Sequence, residues 1–345
     1  MRDAASTLSV AVVKGEMMVW PPPAPSLPGH AWRPLRPGDA VALHQLELDC
    51  LPSDGGTDIV TVAGQKAKLE EAGDKLSTDT LCAVDATGRL AAVAWITFDD
   101  RLAHEYRALL EGRVHPDCRG QGLGSFIIQW MEARAGQFLS EMKDDWPAVL
   151  RFDFYDRGDD ALALFEEHGY RFAFAEDEMR RNLRALAPVR DLPEGLSAVT
   201  WSPQRATQFF EVYQDAFRER PGFPNWDEET WRQTFTGRAG FRPDLSLLLL
   251  QDAEAVAYAL CHVEAESAED QAGVGWIVQM GVRPAWRRRG LASALLHEVM
   301  RRFQAEGLRW AALEVNIDNY RALRLYQRLG FERRRRRTVY KKTLS

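Results

Sequence analysis

The run Val282-Arg283-Pro284-Ala285-Trp286-Arg287-Arg288-Arg289-Gly290-Leu291-Ala292 decides how this chain is read. An apolar stretch of strand character, Val274 to Val282, leads into it, and Pro284 stops that strand. Beyond Gly290, the residues Leu291, Leu295, Leu296, Val299 and Phe303 recur at a period near 3.6, which predicts a helix. A basic loop therefore joins a strand end to a helix start. Free N–H groups at a helix N-terminus carry partial positive charge and bind anions, phosphate above all. Gly290 lets the backbone approach such a ligand with no Cβ in the way. Arg287, Arg288 and Arg289 add charge around it. The plain alternative for this segment alone is a solvated basic turn before an ordinary helix.

The same arrangement stands 168 residues upstream, as Val114-His115-Pro116-Asp117-Cys118-Arg119-Gly120-Gln121-Gly122-Leu123-Gly124. Val114 matches Val282, Pro116 matches Pro284, Arg119 matches Arg287, Gly122 matches Gly290 and Leu123 matches Leu291. Leu123, Ile127, Met131 and Phe138 predict a helix here too. Each copy runs on into a strand-like segment, a short helix and a Gly-aromatic pair, Gly169-Tyr170 and Gly330-Phe331. The period is far longer than that of solenoid repeats, so a whole domain is duplicated.

The pattern Arg-x-x-Gly-x-Gly/Ala between strand and helix resembles the acyl-CoA pyrophosphate loop of the GNAT superfamily of N-acetyltransferases. The run Leu313 to Phe331, containing Asn316, Asn319, Tyr326 and Gly330, is similar to that family's closing motif. The resemblance covers the chain after about residue 30. It implies an α+β fold of two tandem GNAT-like domains, each a central, mostly antiparallel sheet flanked by helices and splayed at its middle. Residues 1–30 are then an N-terminal extension, 31–187 the first domain, 188–194 a Pro/Gly linker and 195–345 the second domain. The resemblance also implies acetyl-CoA, or another acyl-CoA, as cofactor. Onto the second domain it carries contacts from Met280, Gly281 and Val282, from Arg287, Arg288, Arg289, Gly290, Leu291 and Ala292, and from Asn319. In the first domain the matching set is Val114, Arg119, Gly120, Gln121, Gly122, Leu123 and Gly124. Asn319 also reads as a helix N-cap.

Acyl transfer from a thioester to an amine needs a polarised carbonyl, an amine that has lost its proton, and a proton for the departing thiolate. No activated nucleophile stands beside a base, so direct attack is the economical route, with proximity supplying much of the rate. In the family the proton donor is commonly a Tyr four residues before the closing Gly-Phe, which here is Tyr326. Phe165 holds that place in the first domain, and a phenyl ring cannot donate a proton. The resemblance thus implies a catalytic second domain and a first domain that is impaired or only binds acyl-CoA. The plain alternative makes Tyr326 a core aromatic on an amphipathic helix. The family often places an acidic residue on the strand before the loop, and Val274 to Val282 contains none. Glu264 and Glu266 are the candidate bases, with His262 and Glu314 behind them. The first domain inverts this: Glu105 and Glu111 flank its strand, yet the Tyr is missing.

Composition bounds the remainder. The chain has 345 residues, 46% apolar and 27% charged, enough for two soluble globular domains. A formal net charge of −6 argues against nucleic acid as a partner. No apolar run approaches the ~18 residues of a membrane span, and the opening residues lack a signal-peptide pattern. The four cysteines have no metal-ligand spacing, so no metal is expected. Cys118 has no partner base and is read as structural. These features suit a cytoplasmic enzyme, monomer or homodimer, acting on a small-molecule amine or a peptide. One rival is a non-catalytic acyl-CoA-binding or regulatory protein. Another, from the layout of a competent second half and a degenerate first, is the tandem enzyme type that acetylates an amino-sugar thiol precursor. Arg333 to Arg337 invites a nucleic-acid reading, but alternate side chains of a solvated final strand account for it, with anion or cofactor contact as the alternative.

Overall fold

The central strands of both halves are apolar on both faces, so helices must cover each sheet twice. The computed structural model describes residues 9–344 apart from 14–15, 21–23, 55–58, 100–104, 143–145, 156–158, 186–191, 193, 220–222, 224–225, 238–239 and 265–272. The chain divides into two compact units, Met1–Ala175 with Arg337–Ser345, and Glu176–Arg336.

In the first unit, β1 (Ser9–Val13) and β2 (Glu16–Trp20) pair antiparallel and lie against the long helix. Within the N-terminal extension of residues 1–30, this strand pair forms from segments whose Val-rich and Met-rich composition suits strands. Then come β3 (His30–Arg33), α1 (Ala40–Asp54), α2 (Val62–Ala72), the single turn α3 (Leu76–Asp79), β4 (Thr80–Asp85), β5 (Leu90–Asp99) and β6 (Tyr106–Val114). After them follow α4 (Leu123–Ser140), β7 (Ala148–Tyr155), α5 (Asp159–Glu167) and β8 (Arg171–Asn182). Asp39 does not cap α1 by its side chain. It accepts from the Arg36 N–H at 2.7 Å and from the Arg33 guanidinium, also at 2.7 Å.

The second unit repeats the order with β9 (Leu196–Thr200), α6 (Ala206–Phe217), α7 (Glu228–Thr236), β10 (Leu247–Gln251), β11 (Glu254–Glu264) and β12 (Val274–Val282). After these come α8 (Leu291–Ala305), β13 (Trp310–Asn316), α9 (Tyr320–Arg328) and β14 (Glu332–Leu344), whose residues from Arg337 on belong to the first unit.

Both sheets have one plan. In the first, β3, β4, β5 and β6 are successive antiparallel neighbours and β6 runs parallel to β7. In the second, β9, β10, β11 and β12 do the same and β12 runs parallel to β13. The sixth strand of each unit comes from the other half of the sequence. Arg337–Leu344 pairs with Tyr155–Ala148, and Glu176–Asn182 pairs with Asn316–Trp310, both antiparallel.

One face of the second sheet packs on α8 through Leu295, Leu296, Val299 and Phe303, all fully buried, and on α9 through Tyr326. The other packs on α6 and α7 through Phe209, Val212, Trp231 and Tyr258. Close approach depends on small residues. A Cβ at Gly275 would overlap the Phe303 ring, and one at Gly281 would lie 2.7 Å from the Ala216 Cβ on α6.

The arginine run is not a solvated strand. Arg334 and Arg335 bind the fully buried Glu178, at 3.5 and 2.5 Å, and Arg180 joins them at 2.7 Å. Arg336 pairs with Asp177 at 2.7 Å, and Arg337 with Asp153 at 2.7 Å. A carboxylate inside a sheet needs such partners to offset the cost of its desolvation. The available signal was the acidic triplet Glu176-Asp177-Glu178, complementary to the arginines. The linker positions 188–191 and 193 lie outside the described residues.

Candidate active site

Each sheet opens beside its parallel pair. In the second unit β12 meets β13 only from Val274↔Trp310 to Trp276↔Ala312. Beyond that point Ile277–Val282 keeps β11 on one side and has no strand on the other. Apart from the Val282 carbonyl, which Arg287 occupies, an interior strand thus presents backbone donors and acceptors that no strand pairs, a template for an extended ligand. In the first unit the pairing ends at Leu110↔Phe152, leaving Glu111–Val114 open in the same way.

The two openings differ in one respect. The β11–β12 ladder shifts register between Leu260 and Cys261, which oppose Gln279 and Ile277, so Val278 has no opposite number. Such a bulge re-aims backbone and side chains where it occurs. The matching β5–β6 ladder runs without a shift from Ala92↔Val114 to Asp99↔Arg107.

The loops at the open ends share their backbone. Gly120 and Gly122 have φ of 72° and 79°, and the aligned Arg288 and Gly290 have 63° and 82°. Gly122 and Gly290 are the N-caps of α4 and α8, and neither helix has a side-chain cap. The first N–H groups of both helices are therefore left for another partner. A Cβ at Gly120, Gly122 or Gly290 would meet nothing within 4 Å, so each loop presents an open backbone cradle. These features fit a pyrophosphate.

The arginines divide their work. Arg287 donates from Nε to the Val282 carbonyl and from Nη2 to the Ala216 carbonyl at 2.8 Å, tying the loop to β12 and α6. Arg119 bonds the Val114 carbonyl and, at 2.7 Å, Asp54. Arg289 lies over the Trp286 ring at 4.8 Å, and Trp286 donates to Glu254 at 3.1 Å. Arg283 is held by Asp215 at 2.6 Å. In the first loop, Gln121 reaches back to the Asp117 carbonyl at 3.5 Å, and Gly124 admits Leu164 to within 2.8 Å of where a Cβ would stand.

Tyr326 lies on α9, buried in the cluster that contains Ile277, Leu291 and Phe331 and against which Met280 and Val282 pack. One apolar cluster thus joins the open strand, the loop helix and this phenol. Desolvation pushes its pKa up to about 12, so it holds its proton through the neutral range. Phe165 occupies the matching place in the first unit, stacked on Phe152 at 4.4 Å. Asn319 caps α9, accepting from the Ala322 N–H at 3.2 Å, and Asn316 accepts from the Asp318 N–H at 2.9 Å.

The acids expected as bases are not gathered at the opening. Glu264 pairs with Val274, at the closed end of β12 and about 16 Å of strand from Gln279. Glu266 lies outside the described residues. His262 is buried with its ring on the Phe235 carbonyl at 2.8 Å. Glu314 is exposed on β13 opposite Glu178. Sequence reasoning passed over Gln279, whose amide oxygen accepts the Trp231 indole N–H at 2.9 Å. Its counterpart 168 residues earlier is Glu111, bound to Lys68 at 2.6 Å, and Glu105 is taken by Arg107 at 2.7 Å. Cys118 is half-buried, and burial pushes its thiol up, away from nucleophile behaviour.

The model of the acetyltransferase (GNAT) family matches residues 41–170 and again 206–331. A mycothiol acetyltransferase of Frankia casuarinae is 28% identical over 312 residues, which are 86% of this chain and 83% of the relative. A GCN5-related N-acetyltransferase from Sphaerobacter thermophilus superposes with a TM-score of 0.73 at 28% identity, covering 92% of this chain and 96% of that one. A tandem GNAT protein from the clavulanic acid biosynthesis pathway shares the fold, with a TM-score of 0.62 at 18% identity over 91% and 98% of the two chains.

Proposed function

Because the chain belongs to the acetyltransferase (GNAT) family, an N-acetyltransferase family matched in both halves, we propose that its second unit moves an acetyl group from acetyl-CoA directly to a primary amine of a small molecule or peptide. The observation that carries this is the union of opening, bulge, cradle and buried Tyr326 in one unit. Acetyl-CoA, when bound, supplies an activated thioester. Arg288, Arg289 and the first N–H groups of α8 face its phosphates, while Arg287 holds the loop in shape. The open backbone of Met280, Gly281 and Val282 aligns the extended arm. The bulge at Val278 frees backbone to polarise the carbonyl. Tyr326 keeps a proton at Oη for the departing sulfur.

For the first unit we propose acyl-CoA binding without efficient turnover. It has the cradle, but Phe165 in place of the phenol and an unbroken ladder. The likeness to a mycothiol acetyltransferase supports a second, narrower reading of the acceptor, a thiol-bearing amino-sugar conjugate.

Calorimetric titration of acetyl-CoA into the intact chain and into Gly122→Glu and Gly290→Glu tests both assignments. Two sites are expected, each lost with its own glycine. Loss of turnover only with Gly290→Glu would place the chemistry in the second unit. Absence of binding would sink the reading.

A further inference from the structure

Resting on that reading, we propose that the second unit selects its acceptor by amine basicity. It takes a primary amine of the α-amino type, of which roughly a tenth is already neutral at pH 7, because Gln279 stands where a strand carboxylate would take the proton.

Glu111 and Gln279 occupy one place, the sixth residue of a nine-residue strand, past the last parallel pair, which is Leu110↔Phe152 in the first unit and Trp276↔Ala312 in the second. The first unit shows what a carboxylate does there. Glu111 binds the Lys68 ammonium at 2.6 Å, and that ammonium also lies 4.5 Å over the Trp95 ring. An amide cannot do this. An indole N–H can only donate, so the atom that Trp231 meets at 2.9 Å is the amide oxygen of Gln279. What remains on that amide is a pair of N–H donors and one lone pair of an uncharged oxygen, and neither can take a proton from an ammonium.

Among the described residues, the other groups around this point are engaged as follows. Tyr258 on β11 is fully buried, and burial keeps its proton on. Tyr213 packs its ring on Trp231. His262 is bound to the Phe235 carbonyl. On α6, Asp215 holds Arg283 and Glu211 lies 3.6 Å from it. On α7, Glu228 accepts from Thr207, and Glu229 accepts from Gln233 and pairs with Arg232. Glu178 is taken by its arginines. Glu314, on the other arm, is the carboxylate that a test must exclude.

The protons balance without an external base. The neutral nitrogen forms the N–C bond as the C–S bond breaks. Tyr326 gives its proton to the sulfur and recovers one from the nitrogen as the amide forms. The energetic demand falls on delivering the neutral amine. An α-amino group titrates near 7.7–8.0 and a lysine-type amine near 10.4, so their neutral fractions at pH 7 differ by roughly 300-fold.

The test is kcat/KM for a series of primary amines with pKa from about 7.7 to 10.4, measured from pH 6 to 10, with acetyl-CoA affinity measured calorimetrically alongside. In the wild type each profile is expected to rise with unit slope and level at the amine's own pKa, in Glu314→Gln as well. Gln279→Glu is expected to raise the rate on the most basic amines at pH 7 by tenfold or more, at unchanged acetyl-CoA affinity. A wild-type profile that levels well below the amine pKa, or loses its limb in Glu314→Gln, would overturn the proposal. Acetyl-CoA binding with no transfer to any amine would overturn the transferase reading itself, and this inference with it.

Discussion

Arg287 donates from Nε to the Val282 carbonyl at 3.2 Å, and Arg119, 168 positions earlier, makes the same bond to Val114 at 3.1 Å. An arginine that a sequence presents as a phosphate ligand is here first a clasp between strand end and loop. Its fork reaches two carbonyls from one planar group, which a lysine cannot do. Arg287→Lys is therefore expected to lower the acetyl-CoA affinity of the second unit severalfold, and Arg287→Glu tenfold or more. Calorimetry separates them. Equal affinity in all three would show that the clasp does not shape the cradle.

Tyr326→Phe removes the proton donor and leaves the ring in its cluster. Turnover is expected to fall by about 100-fold, the scale of a lost general acid, with acetyl-CoA affinity unchanged. The pH profile is the sharper readout. Burial holds Tyr326 at about 12, so it imposes no falling limb below pH 10. A limb near 8 that vanished in the Phe variant would contradict the environment described.

Glu178 is fully buried among Arg180, Arg334 and Arg335. Neutralising it leaves cations uncompensated inside the sheet. Glu178→Gln is expected to cost about 3–5 kcal/mol, the scale for breaking a buried pair, read from urea unfolding. A loss under 1 kcal/mol would mean that water screens the cluster.

The exchange of strands predicts where the chain can be cut. A fragment of residues 195–345 lacks Glu176–Asn182, which pairs along the whole of β13. It is expected to aggregate or remain unfolded, exposing that strand edge. A fragment of residues 176–345 restores the strand and is expected to show native-like circular dichroism and a compact elution volume. Equal behaviour of the two would remove the importance of the exchange.

Alkaline stability follows from buried acids that keep their protons. Burial raises Cys82 from 9.0 to about 11 and Tyr326 from 10.0 to about 12, with Cys261 and Tyr258 shifted the same way. Above pH 9 the unfolded chain loses protons that the folded chain retains. Stability is then full below the unfolded values and falls as pH rises through 9–12. The Tm is expected to drop steadily over that range, and less steeply between pH 9 and 11 in Cys82→Ala. A flat Tm from pH 8 to 11 would contradict the burial of these groups.

Local order was legible in the residues. The duplicated loops, the strands on either side of them, the helices that follow and the aromatic four places before each closing glycine are set by short-range pattern and backbone preference. Those preferences act through neighbours a few positions away, so they survive in one dimension. Pairing across the sheets was not legible. Strands Arg171–Asn182 and Glu332–Leu344 suit either partner equally by propensity, and the antiparallel ladders alone decided that each completes the sheet of the other half. The same holds for charge. Five arginines in a row look solvated until Asp177 and Glu178, 156–159 residues earlier, lie beside three of them. The bulge at Val278, the removal of Glu264 to the closed end of β12 and the indole on Gln279 belong to this class too. Each depends on register between strands, and register is settled only when a face of the sheet is buried in the folded chain.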